Sequence, residues 1–155
     1  VYEGRLKPDR LLSNPPDEAS WDFYLDVNEC LVSDNGTYYL CYESDGNIHI
    51  YKGTEKTGVF KINSRDSYQA GQFGLDYDGT LYANNGTIDD EDTVSYWYLY
   101  DKNTTADTGT APFEAALANN GTFMILDANN RALFAIYRDG SASDGECLIV
   151  TSSAY

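Results

Sequence analysis

The chain has 155 residues, with Asp+Glu 25 against Lys+Arg 10, a formal net charge of -15 and 42% hydrophobic residues. A chain of this length buries roughly two-thirds of its unfolded surface in one domain, which leaves these residues no room for a second large one. So acidic a chain, with no Lys/Arg cluster, lacks the counterion release that drives nucleic-acid binding and is repelled by anionic lipid. Nucleic acid and bare membrane surfaces are therefore excluded as partners.

From the N-terminus, Val1-Tyr2-Glu3 reads as a processed or trimmed end, with no positively charged run followed by an apolar one. Residues 1–29 contain Asn14-Pro15-Pro16-Asp17 and the apolar Trp21-Asp22-Phe23-Tyr24-Leu25. They are expected to form a leader, or an arm docking on this chain or on a neighbour. Beyond it, aromatic and β-branched runs bounded by Gly, Asn and Asp predict strands. They fall at 37–42, 47–51, 94–100, 121–126, 133–137 and 147–151. Ala111 to Ala118 is too short to argue for a helix and is read as a strand. The longest apolar stretches, Phe123 to Leu126 and Cys147 to Thr151, fall far short of the roughly 20 residues that cross a bilayer. No transmembrane segment is expected.

A turn followed by an alternating strand recurs at Asp45-Gly46-Asn47, Asp78-Gly79-Thr80 and Asn120-Gly121-Thr122. Each copy is followed by a large aromatic, Phe60, Trp97 or Phe134, and these three are candidates for a shared centre. Side chains alternate along a strand, so Ile48, Ile50, Leu81, Ala83, Phe123 and Ile125 take the core face. Three such units cover one another's apolar faces most economically in a threefold arrangement.

The run Leu31 to Leu40 followed by Glu43-Ser44-Asp45-Gly46-Asn47-Ile48-His49-Ile50-Tyr51 resembles the bulb-type (monocot mannose-binding) lectin domain. The resemblance covers roughly residues 30 to 140 and implies an all-β fold, the β-prism II, with three small antiparallel sheets. Residues 141–155 are left as a C-terminal strand or tail. The family binds mannose through a Gln-x-Asp-x-Asn-x-Val-x-Tyr strand, which falls here on Glu43, Asp45, Asn47, His49 and Tyr51. Asp, Asn and Tyr match. Glu43 replaces an amide donor with an acceptor, and His49 puts a bulky polar ring where a small apolar contact is expected. The second copy places Asp76, Asp78, Thr80, Tyr82 and Asn84 at these positions; the third, Ala118, Asn120, Thr122, Met124 and Leu126, loses most polar contacts.

Four glycosylation sequons occur, at Asn35, Asn85, Asn103 and Asn120; three are Asn-Gly, which is also turn chemistry. Cys30 and Cys41 are spaced to bridge adjacent strands, leaving Cys147 over. These features point to a secreted or cell-surface glycoprotein. No Gly-x-Ser-x-Gly, phosphate loop or His-Glu-x-x-His is present, so no enzyme activity and no cofactor are expected. A single histidine makes no zinc site, and Asp89 to Asp92 lack the ligand pattern of a calcium loop, so no metal is expected either. Two functions remain: a lectin-like module recognising mannose-type glycans weakly through the first repeat, and a structural subunit assembling into oligomers or filaments. The second draws on 14 Tyr residues and on two ends long enough for strand exchange. The expected partners are glycans or further copies of the chain.

Overall fold

A computed structural model of the chain describes residues 5–13, 23–60, 71–84, 96–100, 109–138 and 142–144. Those residues form fourteen strands. In chain order they are β1 (Arg5–Lys7), β2 (Arg10–Leu12), β3 (Tyr24–Asp26), β4 (Glu29–Val32), β5 (Tyr38–Tyr42), β6 (Ile48–Lys52) and β7 (Glu55–Phe60). Next come β8 (Gln72–Leu75), β9 (Leu81–Asn84), β10 (Tyr96–Tyr100), β11 (Glu114–Leu117), β12 (Phe123–Leu126), β13 (Ala132–Ile136) and β14 (Ala142–Asp144). Among the described residues there is no helix, and so none long and apolar enough to cross a membrane.

The strands make three sheets, ordered β1-β4-β5-β6-β7, β10-β9-β8-β3 and β14-β13-β12-β11-β2. This is the threefold β-prism arrangement that the repeat implies. Every pairing is antiparallel except one, β1 running parallel to β4 with Leu6 opposite Cys30. The stretch from Ala111 enters β11 as a strand, through a bend at Ala111 and Pro112.

Turn chemistry sets the hairpin registers. At each repeat the amide of the glycine closes a tight turn on the carbonyl three residues back: Gly46 on Glu43, Gly79 on Asp76 and Gly121 on Ala118. These glycines have φ between 80° and 91°, a left-handed conformation that side chains with a Cβ resist. The preceding Asp45, Asp78 or Asn120 then accepts a hydrogen bond from the amide two residues on, at 2.9 to 3.0 Å. Asp-Gly-Asn, Asp-Gly-Thr and Asn-Gly-Thr thus build the same turn with different letters.

The inner faces meet in one apolar core. Leu40, Ile48 and Ile50 come from the first sheet, Phe73, Leu75 and Leu81 from the second, and Leu117, Phe123 and Ile125 from the third. The sheets touch through aromatic rings, Tyr42 lying 5.9 Å from Phe73 and Phe73 6.1 Å from Phe123, centroid to centroid. Of the aromatics expected at a shared centre, Phe134 belongs to this core; the side chains of Phe60 and Trp97 lie outside the described residues. Tyr42, Phe73 and Phe123 are the rings that join the three sheets.

The N-terminal segment supplies one strand to each sheet of its own chain: β1 to the first, β3 to the second and β2 to the third. Polar contacts tie it in. Arg10 meets Glu114 at 2.7 Å and Ser13 Oγ accepts the Phe113 amide at 2.7 Å, while within the segment Lys7 donates to the Tyr24 carbonyl at 2.7 Å. The strand expected at 147–151, together with Cys147, lies outside the described residues.

Candidate functional site on the outer face of the first sheet

Where Ile48 and Ile50 point inward, the same alternation turns His49 and Tyr51 outward, beside Cys41 and Tyr39 of the neighbouring strand. Cys30 and Cys41 face each other in register on this surface and are joined by a disulfide. They pack with Tyr39, Val32 and Tyr51 into a small apolar cluster on this face.

The five motif residues do not lie on one strand. Only His49 and Tyr51 belong to β6, whereas Glu43, Asp45 and Asn47 sit in the turn that precedes it. The turn folds Glu43 and Asp45 back over β6, and both carboxylates close on the histidine. His49 Nδ1 lies 2.5 Å from Glu43 Oε2, and Nε2 lies 3.2 Å from Asp45 Oδ2. The Tyr51 hydroxyl donates to Glu43 Oε1 at 2.7 Å and lies 3.5 Å from His49 Nδ1. Asp45 Oδ1 holds the turn through the Asn47 amide.

Exposure divides the group. The His49 side chain is 6% exposed and that of Glu43 19%, while Asp45 is 49% exposed at the mouth. Asn47 and Tyr51 are half-buried. The site is thus rich in acceptors around a deeply set imidazole. The histidine occupies the floor, and both ring nitrogens are spoken for by protein carboxylates.

The other two outer faces differ. On the second sheet Thr80, Tyr82 and Asn84 are buried, and the Tyr82 ring lies over Gly74, whose hypothetical Cβ would stand 2.6 Å from the Tyr82 hydroxyl oxygen. At its rim the Asp76 carboxyl is held above its usual range by partial burial and then by the charge of Asp78. On the third sheet Met124 and Leu126 pack with Ala116, Ala118 and Ala135 in a second apolar cluster.

The sequons at Asn85 and Asn103 lie outside the described residues. Asn35 and Asn120 are exposed at hairpin tips. Asn35 Oδ1 accepts from Ser33 Oγ and the Thr37 amide, and its Nδ2 donates to the Asn119 carbonyl at 3.3 Å. The two tips therefore touch.

One structural residue escaped the sequence reading. Asp127 is 5% exposed, and its carboxylate accepts from the amides of Asn129 and Arg131, both at 2.9 Å, and of Thr110 at 3.2 Å. It builds the β12–β13 turn without glycine, Asn130 taking the left-handed position at φ 63°. An Asp followed by two Asn after a strand was the available signal.

No protein-family model matches the chain, and no curated protein sequence matches it. Solved structures do. A lectin of Marasmius oreades superposes with a TM-score of 0.58 at 17% identity, over 85% of this chain and 93% of that one. Monomeric monocot mannose-binding lectins from Gastrodia elata superpose with a TM-score of 0.56 at 20% identity, over 82% and 93%. The chain thus has a β-prism fold resembling that of bulb-type mannose-binding lectins over most of its length.

Proposed function

We propose that this chain is a non-enzymatic, lectin-like module that binds sugar hydroxyls at the outer groove of the first sheet, around Asp45, Asn47 and Tyr51, with Glu43 and His49 beneath them. The observation carrying this reading is the shared placement of these polar residues over the Cys30–Cys41 pair, on the one described outer face that is both polar and open. The structural neighbours described as lectins support the class. The site offers carboxylates where the family pattern offers an amide. It therefore favours ligands that present hydroxyl donors, and mannose-type glycans bind it weakly, because a polar site loses much of its affinity when its own groups go unmatched.

A disulfide fits an oxidising compartment, so the module belongs outside the cell or on its surface. The structural-subunit reading draws less support. The N-terminal strands that would be exchanged already pair within the chain, so assembly by exchange must replace existing contacts. A glycan array comparing the wild type with Asn47→Ala and Tyr51→Phe tests the primary reading. Signal above background that falls in both variants supports it, and no sugar bound above background sinks it. Light scattering at high concentration tests assembly, and a monodisperse monomer excludes it.

A further inference from the structure

On the outer face of the first sheet one imidazole meets two carboxylates, one at each ring nitrogen. His49 is the single histidine of the chain and is 4% exposed. Its Nδ1 lies 2.5 Å from Glu43 Oε2, a separation that requires a hydrogen between them, carried on Nδ1. Glu43 is itself held in place by the Tyr51 hydroxyl. With the Nδ1 hydrogen directed at Glu43, Nε2 is the ring nitrogen that faces Asp45. Nε2 and Asp45 Oδ2 stand 3.2 Å apart, close enough to share one ligand between them.

The geometry suits a cation. Nitrogen and oxygen ligands each about 2.0–2.2 Å from one ion, at an angle of roughly 100°, stand about 3.2 Å apart. Asp45 cannot swing freely, because its other oxygen holds the Asn47 amide at 2.9 Å. Its half-exposed position leaves room for water to complete the coordination sphere. Glu43 stands where a carboxylate commonly supports a metal-bound histidine, accepting the hydrogen of the other ring nitrogen and thereby fixing the tautomer. The three side chains bring ligand atoms within 4.8 Å of one another.

Against the sequence expectation of no metal, we propose that His49 Nε2 and Asp45 Oδ2, with water completing the sphere, bind a divalent cation of the zinc, cobalt or nickel class, with Glu43 as the residue that positions the histidine. Imidazole beside carboxylate selects these ions over magnesium and calcium, which prefer all-oxygen sites. The proposal goes beyond glycan recognition and is independent of it, and its test contains no sugar.

With one histidine in the chain, the imidazole nitrogens give an unambiguous NMR signal. Protein labelled with 15N at histidine, at pH 7.5, is titrated with ZnCl2 up to 1 mM and, separately, with CoCl2. Binding predicts that the Nε2 resonance moves with zinc while Nδ1 keeps its hydrogen, and that cobalt broadens residues 43–51 selectively. Calcium at the same concentration leaves both unchanged. Asp45→Asn should weaken zinc binding at least tenfold, and Glu43→Gln by about tenfold. The proposal is overturned if the wild-type spectrum shows both nitrogens protonated and unmoved by zinc, or if zinc binds equally to Asp45→Asn. The wild-type titration decides the matter even if a variant fails to fold.

Discussion

Replacing His49 with valine, the residue of the family pattern, removes two contacts of unequal weight. The contact to Glu43 joins side chains that are 6% and 19% exposed, and a hydrogen bond to a charged group in such a setting contributes about 1.5–3 kcal/mol. The contact to Asp45 involves a carboxylate that is 49% exposed, and solvent screening reduces it to roughly 0–1 kcal/mol. Valine returns a few tenths through its preference for strands, within a scale that spans about 1 kcal/mol. The net loss is therefore about 2 kcal/mol, which lowers the melting temperature of a domain this size by about 4–8 °C. His49→Gln, whose amide can still donate to Glu43, should recover roughly half of that. Calorimetry of the three proteins, with urea titration to confirm an unchanged m-value, measures the difference. A His49→Val protein as stable as the wild type would refute the reasoning, because it would mean that the ring does not hold the turn. The same variant also clears the groove floor, so on the glycan-binding account its affinity for mannose-type sugars should rise.

Three further outcomes follow from the structure. Asp127→Ala removes the buried acceptor of three amides in a turn whose other residues are exposed, where water replaces part of the loss, and should cost about 1–3 kcal/mol, whereas Asp127→Asn should cost less; chemical denaturation distinguishes them. Replacing Cys30 and Cys41 together by serine opens a loop with a sequence separation of 11, which by chain entropy corresponds to about 3 kcal/mol, and equal stability of the oxidised and double-serine proteins would contradict this. Asp76 has a raised pKa in the folded chain, so its ionisation opposes folding above that pKa, and the penalty is relieved as pH falls through it. Asp76→Asn should therefore stabilise the protein slightly at pH 7, and the gain should fade towards pH 4; a gain that grows on acidification would reverse the sign.

What the sequence discloses and what it hides follow from how many residues each feature spans. The hairpins were legible because a left-handed glycine preceded by Asp or Asn dictates its own turn, and the strand that follows carries a period of two. The three N-terminal strands were not. Arg5–Lys7, Arg10–Leu12 and Tyr24–Asp26 are three residues each, too short to show a period, and the sheets they join specify them. Likewise, Phe73 and Tyr42 become central only once three sheets converge, which no local pattern records. At the site, the motif spacing grouped the five residues but treated His49 as a lost apolar contact. The turn's return over β6, which delivers two carboxylates to one ring, is a three-dimensional fact. Asp45 was readable as a turn residue through its Oδ1, and its second oxygen was not readable at all.

The glycan-binding claim is tested most directly by 1H-15N correlation spectra of the labelled protein titrated with a mannose-type oligosaccharide up to tens of millimolar. Sugar binding at this site produces shifts confined to residues 43–51 and their neighbours on β5, saturating with one site per chain and absent in Asn47→Ala. Shifts that cluster instead on residues 76–84 or 118–126, or no shifts at all, would contradict it.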